Sequence, residues 1–381
     1  MKILCINYEY PPVGGGGATV GQSIAEALVR KGHEVDVVTS GMKDLAMQEI
    51  KNGVNIFRVK CIRRKRFYST APELLSQIMP SYRKALELTR TRHYDCNHTH
   101  FIVPSGVTSY LLKKKTGLPY IITAHGTDIP GYNPDRFAWA HRLIHPAWRK
   151  IIHESAALTS PSEFLKTLIQ KQIDCPVTVI PNAHNPTFDK SPDKKKLILV
   201  AARMVERKGI QFFIEASDVI GDDWEICVAG DGPYLPVLKR LAVKLNAPIK
   251  FLGFLSREEL EKLYLASSIF VFPSTQENFP MVLLEAMAAG CAIITTTNQG
   301  CSEVVGKAAV RVTPGDAGQL REALVKLTGD PASINHYSRL ARERVEHFSS
   351  ERISGQLEDL FARVIDQSDA RNETNQSNVR K

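Results

Sequence analysis

The sequence predicts an α/β protein of two similar domains, each a parallel sheet covered by helices, and three observations predict it. Strand-like and helix-like patterns alternate in two successive series, a glycine run separates the first strand from the first helix, and a polar stretch with two prolines divides the series. The 381 residues suffice for two or three domains with sizeable cores.

The first series opens with the apolar run Lys2 to Tyr8 and the turn Pro11-Pro12, followed by the loop Gly14-Gly15-Gly16-Gly17. Val20 to Leu28 has a helical period, Gly32 stops it, and Val35-Asp36-Val37-Val38-Thr39 forms the next strand. A strand–helix–strand unit of this kind gives a parallel sheet with helices on its faces. Further strands are expected at 54–60, 94–98, 119–124 and 157–160, with Val177 to Ile180 closing the half. Ala71 to Arg90 is amphipathic, with Leu74, Leu75, Ile78 and Met79 on one side and an interruption at Pro80.

The second series begins with the strand Leu197 to Ala202. Helices at 210–217, 235–245 and 258–266 then alternate with strands at 224–229, 249–252 and 269–273. A helix over about 280–289 and a strand at 291–296 follow, and the remainder reads as mainly helical. Asn185 to Lys196, polar and carrying Pro186 and Pro192, is the linker. The expected division is 1–188 and 189–349 as two Rossmann-like domains, 350–367 as a C-terminal helix, and 368–381 as a disordered tail, polar and without aromatics. Two such domains would face each other across a cleft, with ligands beyond the carboxyl ends of the strands.

Composition excludes several classes. No run approaches the roughly eighteen apolar residues of a membrane span, and the apolar start is too short for a signal peptide, so a cytoplasmic protein is expected. The seven cysteines are odd in number and scattered, mostly in apolar runs, which favours buried thiols over disulfides or a metal site. The net charge of +9 is uneven: residues 51–150 hold 18 basic against 5 acidic residues, including Arg63-Arg64-Lys65-Arg66 and Lys113-Lys114-Lys115. Such a region attracts anionic lipid or nucleic acid, or is simply a solvated basic face.

The segment Ser274 to Gly290 carries the most chemistry, because it sets Glu277 and Glu285 eight positions apart around a helix start. Pro280 suits the first helical position and Gly290 a left-handed stop. Glu277 then lies in the preceding loop and Glu285 on the second turn; in one unbroken helix they would stand roughly 12 Å apart along the axis. Unpaired amides of the first turn would face hydroxyl or phosphate oxygens. Arg203 and Lys208 leave the strand Leu197 to Ala202 at its carboxyl end, where a forked and a compact cation suit a diphosphate. His125 ends the strand 120–124 and either meets a ligand hydroxyl or is structural.

The glycine loop lacks the G-x-G-x-x-G register, and strand two ends in Thr39-Ser40-Gly41 without the acidic residue of a dinucleotide site. It remains either a phosphate loop or a tight turn. Cys96, His98 and His100, and the helical pair His141 and His145, come nearest to metal ligand sets, but strand-end or surface histidines explain both. Walker A and G-x-S-x-G sequences are absent.

Taken in order, Tyr10-Pro11-Pro12 with its glycine loop, His125-Gly126-Thr127-Asp128, Pro181-Asn182, Arg203 with Lys208-Gly209, Gly230-Asp231-Gly232-Pro233, Phe251-Leu252-Gly253-Phe254 and the glutamate segment closely resemble the group 1 (family 4) retaining nucleotide-sugar glycosyltransferases of GT-B fold. The resemblance covers nearly the whole chain. It implies that Glu285 binds the nucleotide ribose and that Glu277, with the amides of Asn278, Phe279 and Met281 beside Pro280, holds the donor sugar. It further implies that Arg203 and Lys208 bind the diphosphate, with Gly16 and Gly17 approaching it, that the base lies near Gly253 and Phe254, and that His125, in the motif ending at Asp128, contacts the sugar near its C6 hydroxyl. In this family the leaving phosphate helps deprotonate the acceptor, and Glu277 would orient and stabilise charge. The last helix, around Ser350 to Ile365, would cross back onto the first domain. Two departures stand out: Asn278, with Phe279 behind it, replaces a common glycine, and Ser350 replaces a common aromatic.

The expected activity is thus metal-independent transfer of a hexose from a nucleotide-diphosphate sugar, with no further cofactor. The expected acceptor is a membrane-associated glycan or glycolipid of lipopolysaccharide, capsule or exopolysaccharide type. The basic region 51–150 would place the enzyme peripherally on the inner, anionic membrane face, without nucleic acid as a partner. An epimerase or phosphorylase of the same fold, or a non-catalytic sugar-nucleotide-binding protein, are the alternatives.

Overall fold

The computed structural model describes residues 1–132, 138–184 and 194–379, and side chains outside 138–141 and 371–379. The chain divides into two compact units, Met1–Ala183 with Ser350–Lys381 and, inserted between them, His184–Ser349. Most of the predicted linker, 185–193, lies outside the described residues and with it the expected division at 188/189.

In the first unit the strands are β1 (Lys2–Asn7), β2 (Glu34–Ser40), β3 (Gln48–Lys51), β4 (Val54–Val59), β5 (Cys96–His100), β6 (Tyr120–Thr123), β7 (Ala157–Ser160) and β8 (Thr178–Val179). Among the described residues they form one eight-stranded sheet in the order β3-β4-β2-β1-β5-β6-β7-β8, parallel except for the antiparallel pair β3 and β4. That hairpin was not predicted, although its turn, Asn52-Gly53, is a strong hairpin signal and both residues have positive φ (50° and 80°). The amphipathic stretch after β4 forms two helices, Ala71–Ser76 and Ile78–Thr91. The chain breaks at Gln77, so Pro80 falls in the first turn of the second helix, where a missing N–H removes no helical bond. Leu4, Ile6, Val38 and Phe57 of the sheet pack on Ala85 and Leu88 of that helix.

The second unit holds β9 (Lys195–Ala201), β10 (Glu225–Ala229), β11 (Ile249–Gly253), β12 (Ser267–Phe272), β13 (Ala292–Thr296) and β14 (Ala309–Val312). They make an all-parallel sheet in the order β11-β10-β9-β12-β13-β14 among the described residues. Alternate residues feed two cores: Leu197 and Leu199 face Phe270, Leu283 and Leu284, while Ile198 and Val200 face Phe213, Ile214 and Leu324. Because β12 lies beside β9, the segments leaving these two strands emerge next to one another. That adjacency builds the site.

The C-terminal helix Ser350–Val379 belongs to the first unit, where Ile353, Leu357, Leu360, Phe361 and Val364 form its buried stripe. Ser350, where an aromatic was expected, is buried and accepts a hydrogen bond from Arg30 (3.2 Å). The helix runs on through Val379, into the stretch expected to be disordered. No Gly or Pro follows Gly355 to stop it.

Candidate active site

The glutamate segment of the second unit is held from two sides. Arg207 O, in the turn after β9, accepts the Thr275 N–H (2.9 Å) and the Thr275 hydroxyl (3.0 Å). From the end of β13, Thr296 Oγ1 and Asn298 Nδ2 donate to Ser274 O at 2.5 and 2.8 Å. Two glycines permit this closeness. Gly209 has φ +68° and a Cβ on it would lie 2.0 Å from Pro273 O, while a Cβ on Gly300 would lie 2.3 Å from Glu277 O.

Lys208 and Glu277 therefore meet across 69 residues: Nζ donates to Oε1 at 2.5 Å, with side chains only 14% and 8% exposed. The same oxygen accepts from Ser274 Oγ at 2.6 Å, and Lys208 Nζ sits 5.0 Å from the Phe272 ring centroid. A carboxylate oxygen engaged by two donors is poorly placed as a nucleophile. Arg203 is exposed at the end of β9. The helix Met281–Ala288 starts one place later than expected, because Pro280 is its N-cap with extended backbone (ψ 107°). Among the described residues no acceptor faces the backbone N–H groups of Phe279 and Met281.

Glu285 sits apart from this pair, half-buried on the helix, where it accepts from Tyr264 Oη at 3.0 Å. Burial pushes its carboxyl up to about 7, and the Tyr264 bond acts in the opposite direction. Phe279 does not present its ring to a ligand. The ring packs edge-on against Phe348 at 5.6 Å in the core, as an apolar side chain does, and leaves only its amide for binding. Asn278 is buried too. Gly253 ends β11 and its carbonyl accepts the Gly230 N–H (2.7 Å), and Phe254 beside it is 68% exposed.

In the first unit His125 follows β6, and its Nε2 lies 3.0 Å from Nδ1 of His100 at the end of β5. The buried Asp128 carboxylate accepts backbone N–H groups of Ile102, His125 and Gly126 (2.8, 3.1 and 2.9 Å) and so shapes the loop that carries His125. Trp148 Nε1 anchors the same loop through Asp128 O at 2.9 Å. In the glycine loop, the Gly16 Cα faces open space, whereas Gly17 is packed against Phe101 and Glu9. Burial holds His98 and His125 down at about 3 and His100 well below the ordinary imidazole value.

Of the metal candidates weighed in the sequence, the His141 side chain lies outside the described residues, and Cys96 does not join the histidines. Cys5 does: with His98 and His100 it offers ligand atoms within 4.8 Å of one another, since Cys5 pairs with His98 between β1 and β5. Sequence reasoning gave no role to Ser274, Tyr264, Gly300 or the His100–His125 contact. Each arises from strand adjacency or from packing between distant segments.

Residues 184–344 match the family described as Glycosyl transferases group 1, and residues 14–188 match Glycosyltransferase Family 4. An uncharacterized glycosyltransferase of Methanocaldococcus jannaschii is 32% identical over 329 residues, which span 80% of this chain and 83% of that protein. Among solved structures, sucrose-phosphate synthase of Thermosynechococcus elongatus superposes with a TM-score of 0.80 at 21% identity, covering 96% of this chain and all of that one. Anabaena HepE, solved in complex with UDP, gives a TM-score of 0.76 at 17% identity over 95% of this chain and all of its own. The fold is therefore GT-B. The chain belongs to the group 1 glycosyltransferases.

Proposed function

We propose that the protein is a retaining, metal-independent hexosyltransferase that moves a sugar from a nucleotide-diphosphate donor to a membrane-associated glycan or glycolipid. The observation that carries this reading is the Lys208–Glu277 pair at the ends of adjacent strands, beside the unpartnered amides of Phe279 and Met281. Arg203 and Lys208 take the diphosphate and stabilise the charge that develops as it leaves. Glu277, fixed by Lys208 and Ser274, orients the sugar with the neighbouring amides and stabilises an oxocarbenium-like centre without bonding to it. Glu285 accepts from the ribose hydroxyls, and Phe254 offers its face to the base. His125 meets the sugar. The UDP held by HepE, a protein of the same fold, supports a nucleotide donor.

A membrane-borne acceptor is supported by the surface around 62–91. Ile62, Phe67, Leu75 and Met79 are exposed there beside the exposed Arg64, Lys65 and Arg83. Each cation near an anionic leaflet contributes about 1 kcal/mol. Among the described residues no helix is long and apolar enough to cross a membrane.

Incubation with a panel of nucleotide sugars, with and without acceptor lipid and with chelator, tests the reading. Acceptor-dependent release of nucleoside diphosphate and a product with the donor's anomeric configuration are expected. Turnover undiminished in Lys208→Ala and Glu277→Ala would sink it, and a product from donor alone would point to epimerisation. Co-sedimentation with vesicles that ignores anionic lipid and salt would remove the membrane part.

A further inference from the structure

The buried polar groups under the first helix, Gly16–Arg30, form a chain that the proposed reaction leaves without a role. His100 is fully buried, its ring plane lies within 22° of that of His125 with centroids 5.2 Å apart, and its Nδ1 faces His125 Nε2 at 3.0 Å. One proton occupies that contact, so the tautomers of the two rings are tied together. Its direction depends on the far side of His100.

There, Nε2 of His100 has no hydrogen-bond partner among the described residues, and the same holds for Nδ2 of Asn7. Both atoms lie against Gly21: a Cβ on that glycine would sit 2.6 Å from Asn7 Nδ2 and 3.7 Å from His100 Nε2. The orientation of the Asn7 amide is fixed, because its Oδ1 accepts the Glu9 N–H at 3.2 Å. No acceptor therefore stands at His100 Nε2 among the described residues. A lone pair suits that position, whereas a proton on Nε2 would bury an N–H without an acceptor, the costlier of the two.

We propose that His100 is a positioning residue that donates from Nδ1 to His125 Nε2 and so keeps the proton of His125 on Nδ1. The inference rests on the reading above in which His125 meets the donor sugar, and it makes His125 a hydrogen-bond donor to a sugar oxygen. The neighbours permit neutral rings. His98 bonds Thr123 Oγ1 at 2.9 Å and packs on Phe361, and the Asp128 carboxylate is engaged by backbone N–H groups. Burial accordingly holds all three imidazoles in the uncharged form at neutral pH.

Long-range proton–nitrogen correlation spectra of the ¹⁵N-histidine-labelled full chain read the tautomers directly, with His100→Asn and His125→Ala providing assignments. Both rings are expected as Nδ1–H, and a His125 signal from the Nε2–H tautomer would overturn the proposal. Kinetics give a second readout. The amide nitrogen of asparagine falls where Nδ1 does, so His100→Asn keeps turnover, whereas His100→Gln, which mimics Nε2, lowers kcat about 10- to 100-fold with donor KM little changed. Equal losses in the two folded variants would leave His100 a packing residue only. Full activity in His125→Ala would sink the sugar contact itself while the spectra still decide the tautomer.

Discussion

The strand ends of the two units solve the burial of polar groups in opposite ways. In the first unit His98, His100 and His125 are stripped of charge by burial; His100 and His125 share a neutral hydrogen bond, and His98 bonds Thr123 Oγ1. In the second, Lys208 and Glu277 are almost as buried yet stand as an ion pair at 2.5 Å, with Ser274 on the same oxygen. Both sets occupy the carboxyl ends of parallel strands. The difference is the partner: an imidazole left among apolar rings loses its proton, while the Glu277 carboxylate has an ammonium beside it. Neutral groups can select hydroxyls, and fixed charges can hold a diphosphate and steady its departure.

The comparison breaks most easily at Lys208. Lys208→Ala removes the cation and strands the Glu277 carboxylate, so turnover should fall about 100- to 1000-fold and stability by about 3 kcal/mol. Donor turnover and urea titration check both, and a variant equal to wild type would end the contrast. Gly300→Ala forces a methyl group against the Glu277 carbonyl and should destabilise by about 1–3 kcal/mol, read from the thermal midpoint. An unchanged midpoint would mean that the loop yields.

Glu285 sharpens the contrast because the hydrogen-bond donor it accepts from is the neutral Tyr264 hydroxyl. Its folded value near 7 stands above the ordinary 4.5, so the fold loses stability through this group as pH rises from 4.5 to 7. Ribose hydroxyls favour the ionised form. Nucleotide affinity should therefore weaken as pH drops below 7, by at most about tenfold per unit, and Glu285→Gln should flatten the profile measured by calorimetry. A wild-type profile already flat from pH 5.5 to 8 would refute this. The smallest effect is expected in the neutral region, where Trp148→Phe removes the donor to Asp128 O and should lower stability by about 1 kcal/mol in a denaturant titration.

Much of this was legible in the sequence because it is local. The strand at Val35, the stop at Gly290 and the placing of Glu277 before a helix follow from period, glycine and proline. The pairing of Lys208 with Glu277 was not legible. Each residue was named for its own strand end, but their contact depends on β9 lying beside β12, which tertiary packing decides. The same applies to His100 and His125, which follow adjacent strands β5 and β6. The resemblance gave a role to the Phe279 amide alone, and the packing of its apolar ring on Phe348 was not legible from the segment itself. The β3–β4 hairpin was readable from Asn52-Gly53, and only its polar strand Gln48–Lys51 hid it.

The first unit closes on a helix that follows the whole second unit in sequence. The helix from Ser350 supplies Phe361 against His98, so that unit lacks part of its core until this helix has been made. The second unit is contiguous and is complete once Ser349 is in place. During synthesis the later-encoded half is thus the first to have all its residues, and the half translated first must wait for its closing helix.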